Sequence, residues 1–175
     1  MAIKKLVLGG GCFWCVEAVY SNVKGVINAL SGYMGGARKN PSYEQVCTGA
    51  TGHAEVVEIE YENTIITMEE LLEIFWEIHD PTTLNRQGAD TGTQYRSVIY
   101  YSDEDEHEII NRSIQKASQK FHDKIVTEVS PLEEFFVAER YHQNYYALNP
   151  NQGYCRVVIA PRLQKFMTHF PDKLS

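Results

Sequence analysis

A chain of 175 residues with 43% hydrophobic side chains can bury one ordinary core, so a single domain over 1–175 is expected. The formal net charge of -7 and the lack of any Lys/Arg cluster exclude nonspecific attraction to nucleic acid. No stretch approaches the ~20 apolar residues of a membrane span, Leu6-Val7-Leu8 is far shorter than the ~7–15-residue core of an export signal, and four cysteines are too few for a disulfide scaffold, which together predict a cytoplasmic, reducing setting.

In chain order, Lys4 to Leu8 reads as a short apolar strand that runs into Gly9-Gly10-Gly11-Cys12-Phe13-Trp14-Cys15. Val16, Val19 and Tyr20 share a helical face with Cys12, so Cys12 is expected at a strand-to-helix turn. Unpaired amides and the helix dipole there would stabilise a thiolate and lower its pKa. The glycines allow another molecule to approach the backbone closely. On these residues alone Cys12 reads either as a nucleophile or as a small buried hydrophobe.

Val23 to Ser31 and Ala54 to Tyr61 read as strands, separated by a long loop, Gly32 to Gly52, of the kind that often carries function. Thr67 and Glu70 make a capping box for a helix through Met68, Leu71, Leu72 and Phe75, which His79-Asp80-Pro81 ends. After a second loop, Pro81 to Thr93, a strand is expected over Ser97 to Tyr101. Ser102 is then expected to cap a helix carrying Ile110, Ile114, Ala117 and Phe121, and the acids Asp103 to Glu106 suit that helix start rather than catalysis. Ile125 to Val129 reads as a strand, and Val137, Tyr141, Tyr145 and Leu148 outline a helix stopped by Asn149-Pro150. The remainder, 149–175, reads as an irregular tail carrying Cys155. This order predicts an α+β two-layer sandwich with a ferredoxin-like, split βαβ core.

Several residues offer chemistry. Cys12 and Cys15 form a CxxC pair, but neither Cys47, Cys155 nor the six histidines supply the second half of a zinc site, so no metal and no bound cofactor are expected. Phe13 and Trp14 suit an apolar group held beside sulfur. Glu55, among valines, is expected from periodicity to face solvent; burial would instead raise its pKa into a proton donor's range. Tyr43 follows Asn40-Pro41-Ser42, Asp90 reads equally as a turn residue, and Tyr95 equally as a core ring. His53 and His79 read as structural hydrogen-bonding groups, Glu17 as a helix-start charge, and Cys47 as a buried bystander.

The segments Gly11-Cys12-Phe13-Trp14, Gly32-Tyr33-Met34-Gly35-Gly36, Asn40-Pro41-Ser42-Tyr43, Thr51-Gly52-His53-Ala54-Glu55 and Gly92-Thr93-Gln94-Tyr95-Arg96-Ser97 together resemble the type A peptide methionine sulfoxide reductases. The resemblance continues through Tyr141-His142-Gln143 and Asn149-Pro150 to Gly153-Tyr154-Cys155. It implies that Cys12 attacks the sulfoxide sulfur, that Phe13 and Trp14 enclose the methyl group, and that Glu55 protonates the oxygen. Tyr43 and Tyr95 would bind that oxygen, with Asp90 organising the site. Cys12 would become a sulfenic acid, then a Cys12-Cys155 disulfide that thioredoxin reduces.

The resemblance further implies the S epimer of free or protein-bound methionine sulfoxide as substrate, repair of oxidative damage, and a monomer. Two departures stand out. Cys15 sits where many relatives have glycine, and a second tail cysteine is missing, so Cys15 is an alternative resolving thiol, with strain expected in a bond along one helix. The competing readings are a thiol peroxidase or disulfide oxidoreductase using the same cysteines, and a redox-sensing binding protein.

Overall fold

The alternation of one strand sets the layout of the sheet. The computed structural model describes residues 2–175. Its first strand β1 (Ile3–Gly9) leads into helix α1 (Phe13–Tyr20) and strand β2 (Val26–Met34). Within the following loop lies a short helix α2 (Tyr43–Cys47), and strand β3 (Ala54–Glu62) then pairs antiparallel with both β1 and β2. In β3, Val57, Ile59 and Tyr61 enter the main core while Ala54 and Val56 join a smaller cluster on the opposite face. Glu58 shares that opposite face, where it pairs with Lys5 at 3.6 Å. By the two-residue period of a strand, Glu55 must therefore point into the main core.

Helix α3 (Met68–Ile78) begins with the expected capping box. Strands β4 (Arg86–Gln87) and β5 (Asp90–Thr91) form a small hairpin before β6 (Val98–Tyr101), which pairs antiparallel with β1. Helix α4 (Glu104–Ser118) follows, and then β7 (Glu128–Pro131) adds parallel to β6. Strand β8 (Phe136–Val137) closes the other edge beside β2, giving a mixed six-stranded sheet of order β7-β6-β1-β3-β2-β8. Residues of α1, α3 and α4 share the core cluster with Leu6, Leu8, Val57 and Ile59, so these helices cover one face. The result is a mixed α and β architecture. Among the described residues no helix is long and apolar enough to cross a membrane.

Four expectations about elements need correction. The cap of α4 is Asp103, whose carboxylate accepts from the Glu106 amide at 2.9 Å, while Ser102 donates its own amide to Glu106. The strand expected from Val23 starts at Val26, because Val23 instead bridges to Leu174 near the C-terminus. The strand expected over Ile125 to Val129 starts only at Glu128, and Ile125 is packed in the core. The helix expected over Val137 to Leu148 is a strap: Ala138 donates to Ser31, Gln143 exchanges two hydrogen bonds with the Ser31 backbone, and Asn144 has φ +55. Only Tyr145–Leu148, α5, is helical there, after a 3-10 turn at Arg140–His142. Of the tyrosines at this helical spacing, Tyr145 stacks on Trp14 of α1 whereas Tyr141 is exposed.

The tail also departs from expectation. A π-helical turn at Cys155–Ile159 runs directly into α6 (Ala160–His169). Cys155, Ile159 and Phe166 are buried at helical steps, a pattern that Pro161 obscured in the sequence. Pro161 lies inside this continuous helical run, directly after the π turn, and its missing N–H falls where the helix changes from the wider π register to the α register. The end of the chain is docked: Lys173 Nζ lies 2.6 Å from Glu70 Oε2, and Ser175 donates its amide to Asn22.

The capping box of α3 makes a direct stability prediction. Thr67→Ala leaves the Glu70 amide without its acceptor and should lower unfolding free energy by ~1 kcal/mol, whereas Thr67→Ser should retain most of it. Denaturant midpoints at constant slope would measure this; an unchanged midpoint for Thr67→Ala would refute it.

Candidate active site

Cys12 occupies the N-cap position of α1, with extended backbone. Gly11 before it has φ +88, and a Cβ there would press on the Gln87 side chain at 2.8 Å, so only glycine lets the turn nest against the β4–β5 hairpin. The Gly11 amide donates to the Tyr95 carbonyl at 3.2 Å, fixing the turn to the segment that carries Tyr95.

Glu55 lies beneath this helix start. Its Oε1 accepts from the Phe13 amide at 3.1 Å, and its Oε2 is buried with no partner among the described residues. The side chain is 1% exposed, which overturns the solvent-facing expectation. Burial pushes its pKa up to about 8; the Phe13 amide opposes this and the charge of Asp90 adds to it. A carboxyl with this pKa is mostly protonated at neutral pH and can donate.

The Cys12 thiol behaves differently from expectation too. Burial, and then the charge of Glu55, raise its pKa well above the usual thiol value, against the hydrogen bond from the Trp14 amide. The helix N-terminus is present, but desolvation outweighs it. The resting site thus pairs a neutral thiol with a neutral carboxylic acid.

Around them the tyrosines gather. Burial and then the charge of Glu55 raise the pKa of both Tyr43 and Tyr95, keeping their hydroxyls as donors. Tyr43 is set by its amide, which donates to Glu139 Oε2 at 2.8 Å, and Glu139 Oε1 also accepts from the Tyr33 hydroxyl. Asp90, on β5, accepts from the Tyr154 hydroxyl at 2.6 Å. The structure therefore brings Cys12, Glu55, Tyr43, Tyr95 and Asp90 into one electrostatically connected group, from five separate segments.

Phe13 and Trp14 sit within an aromatic cage. The Phe13 ring is 5.6 Å from Tyr33 and 5.0 Å from His142, and Trp14 stacks on Tyr145 at 3.7 Å with an interplanar angle of 4°. Trp14 Nε1 donates to His142 Nδ1 at 2.9 Å, which fixes the imidazole as the tautomer protonated at Nε2. His142, Tyr145 and Tyr154 were given no role from the sequence. For His142 and Tyr154 the only signal was position within segments of the resemblance, and Tyr145 was read only as one position on a helical face, because the strap that delivers them has no simple period.

The remaining candidates separate. Cys155 is fully buried in a cluster with Cys15, Ala18 and Ile159, not on an irregular tail, and burial raises its pKa. Cys47, expected to be buried, is exposed. Glu17 is not a helix-start charge: it is buried, accepts from Ser31 Oγ and the Asn144 amide, and burial pushes its pKa up to about 6. His53 links the Gly36 amide to the Arg38 carbonyl, and His79 links the Phe75 carbonyl to Ser97 Oγ, so both are structural linkers. Among the described residues, no three His, Cys, Asp or Glu are grouped to hold a metal ion.

Comparison with known proteins places this arrangement. The family model described as peptide methionine sulfoxide reductase matches residues 4–174. The chain is 55% identical over 168 residues to the peptide methionine sulfoxide reductase MsrA of Saccharolobus solfataricus, covering 96% of this chain and 95% of that protein. It is 56% identical over 169 residues to the MsrA of a Nitratiruptor species, covering 97% of each. Its fold matches the reduced form of Mxr1 from Saccharomyces cerevisiae with a TM-score of 0.81 at 35% identity, over 87% of this chain and 89% of that one. With a family match that spans nearly every residue and a buried acid set against a thiol at the same helix start, the chain belongs to the peptide methionine sulfoxide reductase family.

Proposed function

We propose that this protein reduces methionine S-sulfoxide, free or in proteins, to methionine, with Cys12 as nucleophile and Glu55 as acid, and so repairs oxidative damage. The observation that carries this reading is the protonated, half-unpartnered carboxyl of Glu55 beside the thiol of Cys12. A sulfoxide oxygen leaves sulfur only when it is protonated. Glu55 Oε2 supplies that proton, Tyr43 and Tyr95 donate hydrogen bonds to the same oxygen, and Asp90, through Tyr154, orders the surrounding loop. Phe13 and Trp14 receive the methyl group.

As the Cys12 sulfur attacks the substrate sulfur, its own proton passes to the Glu55 carboxylate. The hydroxyl of the protonated sulfoxide then passes from the substrate sulfur to the Cys12 sulfur: the S–O bond and the transient S–S bond break, an O–S bond to Cys12 forms, and methionine departs with the electron pair, leaving Cys12 as a sulfenic acid. The thioether is the reduced product and the Cys12 sulfur is oxidised, so the first half-reaction needs no other reductant. The sulfenic acid is next captured by a second thiol as an intramolecular disulfide. Two thiols are available to this capture: Cys155, which the family pattern favours as the recycling cysteine, and Cys15, one helical turn after Cys12 and packed with Cys155. Thioredoxin is the external reductant, and no bound cofactor is required.

The same reading takes β6-β1-β3-β2 with α1 and α3 as a split βαβ, ferredoxin-like core, supported by that strand order. It takes 1–175 as a single catalytic domain, supported by one hydrophobic cluster reaching from Leu6 to Phe166, and the protein as a cytoplasmic monomer.

An anaerobic single turnover tests the function: fully reduced protein mixed with each epimer of a methionine sulfoxide peptide should release one equivalent of methionine from the S epimer alone. Methionine from neither epimer would overturn the reading. Glu55→Gln keeps the size of the side chain but removes its acid and should slow this burst by roughly 10²-fold or more; a burst at the normal rate would remove Glu55 from the chemistry. Because the competent acid is protonated, the burst rate should fall as pH rises through about 8, where Glu55 ionises, and this descending limb should vanish in Glu55→Gln.

A further inference from the structure

Arg162 has no carboxylate partner among the ion pairs of the described residues. Its guanidinium instead reaches from a groove of about 410 Å³, bounded by the end of α3, Gln87 and α6, toward a sulfur. Nη1 donates to Cys15 Sγ at 3.6 Å and Nη2 to Gln87 Oε1 at 3.4 Å. Gln87 is itself held at both ends of its amide by the Asp80 backbone, at 2.8 and 2.9 Å, so the guanidinium has a fixed anchor. Cys15 is 1% exposed.

This is an unusual set of partners for a group that is always charged. An amide oxygen and a neutral thiol do not balance its charge; a thiolate does. Arg162 and Cys155 lie on one side of the C-terminal helix, with Ile159 between them, and this side packs against Cys15 and Ala18 of α1. The charged and titratable groups around Cys15 are Arg162, Asp90 on β5, Cys12 at the start of α1, Cys155, and the tyrosines Tyr145, Tyr146 and Tyr154. Burial raises the pKa of Cys15, and Asp90 adds to that; Arg162 opposes both by charge and by hydrogen bond. Cys12 faces Glu55, whose charge raises its pKa further, and the hydrogen bond from Arg162 goes to Cys15.

Resting on the reduction proposed above, we propose that Arg162 is a positioning residue for the second half-reaction: it holds the sulfur of Cys15 as the nucleophile that captures the sulfenic acid on Cys12. The two cysteines stand at the N-cap and third positions of α1, and the Cys15 amide donates to the Cys12 carbonyl at 3.1 Å. Since Cys12 precedes the helix with extended backbone, the bond would cross the helix entrance instead of lying along the helix. The Cys15 sulfur attacks the Cys12 sulfur, an S–S bond forms, and the S–OH bond breaks. Hydroxide leaves as water with the proton given up by Cys15. Cys15 is oxidised, Cys12 is reduced, and no further oxidant enters.

The test is the same anaerobic single turnover, followed in time by dimedone trapping of sulfenic acid and by mass-spectrometric mapping of disulfides, as a function of pH. The first disulfide in the unmodified protein should be Cys12-Cys15. In Arg162→Met the sulfenic acid should persist about tenfold longer or more, the change in thiolate fraction expected when a charge partner is lost, and the pH midpoint of disulfide formation should move upward. Arg162→Lys should restore much of the rate. Cys15→Ser, independent of any folding defect in the arginine variants, should leave the sulfenic acid trapped. An unchanged lifetime in a folded Arg162→Met, or a first disulfide of Cys12-Cys155 formed at the normal rate in Cys15→Ser, would overturn the proposal. Failure of the unmodified protein to release methionine would overturn the underlying reduction instead.

Discussion

The hydrogen bond from the Phe13 amide to Glu55 Oε1, 3.1 Å long, joins the first turn of α1 to the middle sheet strand β3, and the site is organised around it. A helix N-terminus is a natural seat for an anion, yet here the occupant is a carboxyl whose burial raises its pKa to about 8. Desolvation wins because the side chain is sealed between the helix and the sheet. An amide of the first turn serves Glu55, the Trp14 amide alone is directed to Cys12, and the thiol is left with a high pKa. Acid and thiol are thus both neutral at rest, and the proton inventory is complete before anything binds.

The strap between β8 and α6 builds the other wall. Glu139 ties Tyr33 and the Tyr43 amide together, Gln143 locks onto Ser31, and Asn144, in a left-handed conformation, donates its amide to the buried Glu17. These contacts are only partly buried, and each hydrogen bond contributes about 0.5–1.5 kcal/mol. They hold His142 and Tyr145 against Trp14. The aromatic cage is rigid because its backbone is pinned, while its rings contribute mainly apolar area and stacking.

On the reverse side of the same helix turn, burial again raises the thiol's pKa but the charged neighbour differs. Cys12 sees the carboxyl of Glu55, whereas Cys15 sees the guanidinium of Arg162. Two thiols separated by two residues, both raised by burial, thereby have different charged neighbours, one the acid of the site and one a guanidinium of α6. The C-terminal helix that carries Arg162 also buries Cys155 against Cys15, so three of the four cysteines meet on or beside α1. Cys47 lies apart from that cluster, exposed at the end of α2.

By itself the sequence determined the local elements whose signals are short-range. The capping box at Thr67 and Glu70, the glycine turn before Cys12, and the apolar alternation of β1 and β3 were legible because each depends on residues within a turn or two. Position within a family pattern also marked Cys12, Glu55, Tyr43, Tyr95 and Asp90. What only the tertiary structure decided is which way those residues face and what surrounds them. The parity of Glu55 with Val57, Ile59 and Tyr61, opposite Glu58, was present in the sequence, but burying a carboxylate is so costly unless it is neutralised or hydrogen-bonded that periodicity argued for solvent. The Phe13 amide, supplied from 42 residues away, removes that objection. Likewise the strap, the docked tail and the Arg162 contact with Cys15 depend on partners 112, 103 and 147 residues distant, and no local pattern encodes where such partners meet.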